Sequence, residues 1–333
     1  MKKQILSLIS NVDNAVSRIA LSLTGEKKSL IILLFHGLFE DTTQISRGDV
    51  DPQQRLTVEQ FRSFINYFLE NNYTFVSSDT IVKGLDESRN FIMVTFDDGY
   101  YNNILALPVL NEFGVPAEFF ISSNHVLQGK CFWWDVIYRE RLKRGQTESA
   151  IAREVHALKG NKNDWIEDYI GREFGKDALK PIGDIDRPFT PQELREFSSD
   201  RHVVLGNHTS NHAILTNYSP EEIRTEIAGA QEQIRMMTGI TPLTISYPNG
   251  NYSAEVIAAS MECGLKLGII VNDRKNYHPL VSGEKRCFML DRFILWGDRN
   301  LVEQCETFRS DVHIYNSIKK MIYRNDREDR VLY

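Results

Sequence analysis

Short apolar runs alternate along this chain with stretches of helical periodicity. Residues 29–35, 91–96, 117–122, 202–205, 243–246, 267–271 and 288–295 are rich in Val, Ile, Leu and Phe. Their length and composition read as strands, mostly buried on both faces. A weaker run covers residues 75–77. Between them, residues 56–71, 105–113, 220–237 and 254–263 repeat apolar positions at helical spacing. Thr57 and Gln60 have the spacing of a capping box, Ser219 precedes Pro220 as an N-cap, and Gly114 closes the second of these segments. Strands alternating with helices predict an α/β fold with a parallel sheet. In such folds functional residues gather at the C-terminal ends of the strands.

The pattern changes over residues 127–199, where charge rises and the strand runs stop. Residues 147–158 and 165–174 read as helices, and residues 180–191 as loop rich in Pro, Gly and Asp. This segment reads as a helical insertion. At the N-terminus, Ile5, Leu6, Ile9, Val12, Val16, Ile19 and Leu23 recur at helical spacing. Asn11, Asp13, Asn14 and Arg18 interrupt any signal-peptide core. The resulting amphipathic helix either packs on the domain or lies on a membrane surface. The predicted organisation is therefore an N-terminal helix (1–27), an α/β domain (28–310) containing the insertion (127–199), and a helical tail (311–333).

Composition narrows the class of protein. With 42% apolar and 25% charged residues the chain can bury a sizeable core. A net charge of −6 gives no footprint for nucleic acid. Cys131, Cys263, Cys287 and Cys305 lack metal-site spacing and read as free thiols, which favours a reducing compartment. No segment is long and apolar enough to span a bilayer. The expected location is the cytoplasm, with peripheral contact at the inner membrane face as the alternative for the N-terminal helix.

Candidate chemistry sits where the strand runs end. Thr95-Phe96-Asp97-Asp98-Gly99 follows one run, and His208-Thr209-Ser210-Asn211-His212 follows another. Adjacent aspartates oppose each other's ionisation. A divalent ion bound by one of them relieves that conflict and leaves the other free to move protons. Two imidazoles and one carboxylate leave open positions on a zinc-like ion. The four-residue spacing predicts that a helical turn after the strand aims both rings the same way. His36 and the turn Tyr247-Pro248-Asn249-Gly250 also fall at strand ends. His125, His156, His202, His278 and His313 show no partner pattern.

Residues 94–99 resemble the first motif of the NodB-type polysaccharide deacetylases (carbohydrate esterase family 4). Residues 208–212 resemble their second, H-[ST]-x-x-H, and residues 245–250 stand where the third is expected. The resemblance covers about residues 31–308. It implies a distorted (β/α)7 barrel and metal-dependent removal of an acetyl group, here an N-acetyl group, from a sugar. Carried onto this chain, Asp97 is the general base. Asp98, His208 and His212 are the metal ligands, Thr209 supports them, and the Asn249 backbone N–H helps to hold the oxyanion beside Tyr247. The implied metal is Zn²⁺, with Co²⁺ or Ni²⁺ as alternatives.

The chain also departs from that pattern. The third motif of the family usually opens with an arginine that partners the catalytic aspartate, but Ser246 stands there. Arg292 could substitute, or serve structure alone. The C-terminal Leu-x-His motif, source of the general acid, is not evident at residues 295–315, and His313 matches it poorly. In the circularly permuted poly-N-acetylglucosamine deacetylases this acid lies near the N-terminus. Leu33-Leu34-Phe35-His36-Gly37 resembles that branch, so His36 is the expected acid; the alternative is a histidine that merely caps a buried strand.

Trp133, Trp134 and Tyr138 open the insertion and either stack on a sugar ring, Trp134 foremost, or pack into the barrel. The insertion is expected to lie over the strand ends and favour a chain end or small glycoside. The expected partners are an N-acetylated saccharide or glycolipid of surface-polysaccharide biosynthesis, and no nucleic acid. Two further readings stay open: hydrolysis of another small amide, and a catalytically silent carbohydrate-binding protein of the same fold.

Overall fold

The computed structural model describes residues 2–312. The 311–333 tail, with His313, therefore lies almost wholly outside the described residues. Nine strands form one sheet: β1 (Ser29–Phe35), β2 (Thr74–Phe75), β3 (Phe91–Phe96), β4 (Ala117–Ile121), β5 (Val203–Asn207), β6 (Thr244–Ser246), β7 (Leu267–Val271), β8 (Asn276–Tyr277) and β9 (Leu290–Ile294). Seven of them close a parallel ring in the order β1, β3, β4, β5, β6, β7, β9, with β9 returning to β1. Closure is set by two registers on the same strand, Leu33 beside Val94 and Leu33 beside Phe293. β2 attaches in parallel to β3, and β8 pairs antiparallel with β1. This is the distorted (β/α)7 barrel expected from the sequence.

Alternation along the strands sorts side chains between two layers. Ile31, Leu33 and Phe35 of β1 face the helices, where Phe35 meets Phe61 and Phe64 of the helix Val58–Glu70. Leu30 and Ile32 face the barrel interior with Met93, Phe120 and Ile269. The interior becomes polar towards the C-terminal ends, where Thr95, Ser246 and Arg292 are buried. Local signals in the chain account for the outer helices. Thr57 and Ser219 both form capping boxes, with Gln60 and Glu222 respectively. Gly114 and Gly239 end helices in the left-handed conformation.

The insertion is helical, with Trp133–Lys143, Glu148–Leu158, Asn163–Phe174 and Pro191–Phe197. It has its own apolar cluster, centred on Phe132, Val136, Ile137, Ile151, Ile166 and Ile170. The helix Glu148–Leu158 is tied down at both ends. Arg55 Nη2 and Tyr138 Oη donate to Glu148 Oε1 at 2.6 and 3.0 Å. At the other end, Asn217 Nδ2 donates to the Lys159 carbonyl at 2.8 Å.

The N-terminal helix Lys2–Thr24 docks on the helix Leu301–Arg309, through Arg18 with Glu306 (2.8 Å) and Thr307 Oγ1 donating to Asn14 Oδ1 (3.0 Å). Val12, Ile19 and Leu23 stay exposed on it. No described helix is long and apolar enough to cross a membrane.

Candidate active site

Asp97 and Asp98 leave the end of β3 in a tight turn. Asp98 has φ 76° and Gly99 φ 87°, two successive left-handed residues, the second of which favours glycine. The peptide N–H of Asp97 still donates to the Phe35 carbonyl at 2.9 Å, so the first carboxylate remains fixed to the barrel wall.

Arg292, arriving from β9, holds that carboxylate by two bonds. Its Nη1 donates to Oδ1 at 2.8 Å and its Nη2 to Oδ2. Ser246 Oγ accepts from Arg292 Nη2 at 2.9 Å and donates to Asp97 Oδ2 at 3.0 Å. Arg292 Nη1 also donates to Thr95 Oγ1 at 3.1 Å. Burial pushes the Asp97 carboxyl up, but Arg292 and His208 outweigh it and hold the group below its ordinary value. The arginine missing at position 246 is thus supplied by another strand, with the serine completing the cluster.

Asp98, His208 and His212 offer one ligand atom each, all within 4.8 Å of one another. Asp98 Oδ1 stands 3.3 Å from Nε2 of both histidines. Both Asp98 oxygens are buried without a hydrogen-bond partner, and an orphaned carboxylate of this kind is costly. His208 Nδ1 donates to the Ser246 carbonyl at 2.8 Å, which turns Nε2 toward Asp98. These residues fit a divalent ion: a buried anion without donors, facing two imidazole nitrogens. Burial raises the Asp98 carboxyl, yet the two imidazoles leave it well below its ordinary value.

The predicted helical turn between the histidines is absent. Residues 208–212 form an irregular loop in which Thr209 (φ 63°) and His212 (φ 53°) are left-handed. Thr209 Oγ1 accepts from the Ala213 N–H at 2.8 Å and the Asn207 side chain accepts from the Thr209 N–H at 2.8 Å, so side chains do the work that helical hydrogen bonds would have done. Such left-handed residues cost about 1–3 kcal/mol each and persist where the surroundings over-determine them.

A cavity of about 300 Å³ opens over these groups. His36, Asp97, Asp98, His208, His212, Asn249, Arg292 and Trp134 all line it. His36 Nδ1 pairs with the Gln54 side-chain amide (2.9 Å to Oε1), and Asn103 Nδ2 donates to the His36 carbonyl at 2.6 Å. The sequence offered no partner for this ring; it is an amide, not a carboxylate.

Trp134 lies 4.6 Å from the His212 ring, and its Nε1 donates to Tyr100 Oη at 2.9 Å. Tyr100 donates in turn to Asp135 Oδ2 at 2.7 Å, a carboxyl that burial pushes well above its ordinary value. Trp134 is thereby a rigid wall of the cavity.

Tyr247 is not brought to the site. Its side chain is fully buried among Ile245, Val256 and Ile257, and a Cβ at Gly268 would run into its hydroxyl. The expectation that it meets substrate is corrected: its ring packs the barrel exterior. Tyr138 likewise packs within the insertion and binds Glu148.

Several lining residues carried no signal in the sequence. Asp51, Gln53 and Gln54 come from a loop, Trp296 from the exit of β9, and Val155 and Lys159 from the insertion. Gln54 belongs to no periodic segment, and only the tertiary fold brings Lys159 here. Its Nζ donates to Asn249 Oδ1 at 2.7 Å.

Comparison with known proteins gives a consistent grouping. A family model described as "Polysaccharide deacetylase" matches residues 84–268. YxkH, a Bacillus subtilis (strain 168) protein whose name places it among polysaccharide deacetylases, is 20% identical over 251 residues. That match takes in 74% of this chain and 66% of the relative, a little under two thirds of its length.

Among solved structures, the Streptococcus pyogenes deacetylase PplD in complex with acetate superposes with a TM-score of 0.57 at 14% identity, covering 85% of this chain and 99% of that one. IcaB from Ammonifex degensii gives 0.56 at 13% identity, covering 86% and 99%. A de-N-acetylase from Aggregatibacter actinomycetemcomitans gives 0.58 at 14%, covering 84% and 100%. At such identities these structures speak for the fold.

Proposed function

Because the chain belongs to the polysaccharide deacetylase family, we propose that it hydrolyses the N-acetyl group of a sugar, releasing acetate and a free amine. One observation carries the reading: a carboxylate locked by Arg292 and Ser246 stands beside a buried Asp-His-His cluster in a single cavity. A silent binding protein has no use for such a base.

A divalent ion, Zn²⁺ foremost, would be held by Asp98, His208 and His212, and would supply polarisation of the amide carbonyl and acidification of water. Asp97 takes a proton from the attacking water as the new C–O bond forms. Arg292 keeps Asp97 ionised and fixes the direction of its lone pairs. That pairing also makes Asp97 a weak base, suited only to a water already made acidic. The Asn249 N–H assists the oxyanion, at a residue held at φ 59°. His36, oriented by Gln54, then donates a proton to the departing nitrogen as the C–N bond breaks. Acetate, the amine and the resting protonation states follow once protons redistribute.

The small cavity, closed on one side by the helix Glu148–Leu158, favours a terminal or single acylated sugar over the interior of a polymer. A nucleotide- or lipid-linked sugar of surface-polysaccharide synthesis is the substrate class this supports. The exposed apolar positions of the N-terminal helix agree with action at the cytoplasmic face of a membrane. His36 before both motifs, with Arg292 after them, supports placement in the permuted poly-N-acetylglucosamine branch.

The test is acetate release from N-acetylglucosamine oligomers and acetylated glycolipids by protein loaded with Zn²⁺ or Co²⁺. Stoichiometric acetate and free amine are expected. No acetate from any acetylated glycan, with metal demonstrably bound, sinks the proposal.

A further inference from the structure

Lys159 is an ammonium drawn into the cavity, where Asp51 and Asp98 act on it through space but no carboxylate touches it among the described residues. It follows the helix Glu148–Leu158, and with Ala152 and Val155 it forms the face by which this part of the insertion lines the cavity. Its Nζ bonds Asn249 Oδ1, a neutral acceptor, at 2.7 Å, and no carboxylate forms an ion pair with it among the described residues. An ammonium has three donors, so this arrangement leaves it incompletely served. Partial removal of a charge from water is costly without an ionic partner.

The lysine is nonetheless held firmly. Asn217 fixes its carbonyl at 2.8 Å, and Asn249 Nδ2 donates to Asn251 Oδ1 at 2.9 Å, which orients the amide oxygen toward Nζ. Arg292, the other cation of the wall, is consumed by Asp97. On the walls away from the Asp98, His208 and His212 cluster, Trp133, Trp134 and Trp296 offer an anion no charge. Outside the groups given to the reaction, Lys159 is the cation that can accept a negative group.

We propose that Lys159 is a specificity-determining residue that selects acylated sugars bearing a phosphate or carboxylate on the acylated ring. The cavity of about 300 Å³ is at the small end of ligand pockets, so the anion belongs to the same sugar unit as the acyl group. This rests on the deacetylase reading of the same cavity and goes further in naming the charge of the substrate. Phosphate and carboxylate share the chemistry that a lysine recognises, and substrate choice separates them.

The experiment compares N-acetylglucosamine 1-phosphate, N-acetylmuramic acid and neutral N-acetylglucosamine, in the metal-loaded wild type, Lys159→Gln and Lys159→Arg. Two readouts are taken: kcat/KM for acetate release and affinity by calorimetry. At least one charged sugar should exceed the neutral one by about tenfold in the wild type, as a charge-assisted contact implies. Lys159→Gln should erase that ratio and Lys159→Arg should keep most of it. The phosphate arm responding alone, or the carboxylate arm alone, supports the proposal and identifies the group.

Equal treatment of charged and neutral sugars by the wild type overturns it. So does a preference that survives in Lys159→Gln, or a loss in that variant that is equal for all three sugars. If no sugar yields acetate, the deacetylase reading falls, while the calorimetric ratio still decides the role of Lys159.

Discussion

Asp97 and Asp98 are neighbours in the chain with opposite surroundings. Asp97 has every oxygen engaged by Arg292 and Ser246, whereas Asp98 has none engaged. The division of labour between them follows from that contrast. Asp97→Asn should lower acetate release by about 10²–10⁴-fold, the range for removal of a general base, and still bind metal stoichiometrically. His208→Ala should lose the metal itself, measured by elemental analysis after gel filtration. Equal metal loss in both variants would contradict the assignment.

At this scale the sequence was legible for residues embedded in motifs. It was silent for Gln54 and Lys159, whose chemistry depends on neighbours 18 and 90 positions away. Arg292 lies between these cases: the gap at Ser246 called for a cation, but only the geometry of β9 shows that it reaches Asp97.

At the scale of elements, strands and capped helices were readable because their causes are local. The capping boxes at Thr57 and Ser219 are short-range chemistry, and the barrel strands are apolar runs. The histidine loop was misread for the converse reason. A four-residue spacing suits a helix, yet side-chain bonds from Thr209 and Asn207 stabilise a different backbone.

The helix Glu148–Leu158 shows how the insertion shapes the site. Its N-terminal tether through Glu148 is an exposed ion pair, worth no more than about 1 kcal/mol. Glu148→Ala should therefore leave thermal stability nearly unchanged but loosen one wall of the cavity. The KM for the acetylated sugar should rise about threefold at constant kcat, the equivalent of a few tenths to 1 kcal/mol of binding. A fall in kcat with no change in KM would show that this helix positions the chemistry rather than the substrate.

The whole molecule carries one electrostatic burden far from the reaction. Glu118 on β4 is fully buried beside the Ser78 and Thr244 hydroxyls, and one of its oxygens accepts the Ser78 N–H at 3.3 Å. Burial pushes its carboxyl up to about 7. A carboxyl raised on folding adds no penalty while both states are protonated. As pH rises through the unfolded value near 4.5 toward 7, the unfolded chain ionises first and stability falls. Above that window the loss is about 3 kcal/mol. Glu118→Gln should thus raise Tm at pH 8 by several degrees relative to wild type, with a much smaller gain at pH 5. A pH-independent difference would show that the carboxyl is not the source.

The pairing of Asp97 with Arg292 also has a meaning in time. These residues are 195 positions apart, while all three members of the Asp-His-His cluster have been made by residue 212. A ribosome has therefore delivered every candidate metal ligand well before it delivers the guanidinium that orients the base. A half-made chain could capture an ion but would hold an untethered carboxylate beside it. Only when β9 inserts between β7 and β1 does the ring close and Arg292 arrive. Completion of the barrel and arrival of the guanidinium that orients the proposed base thus depend on the same strand, and a chain that ends before β9 has neither.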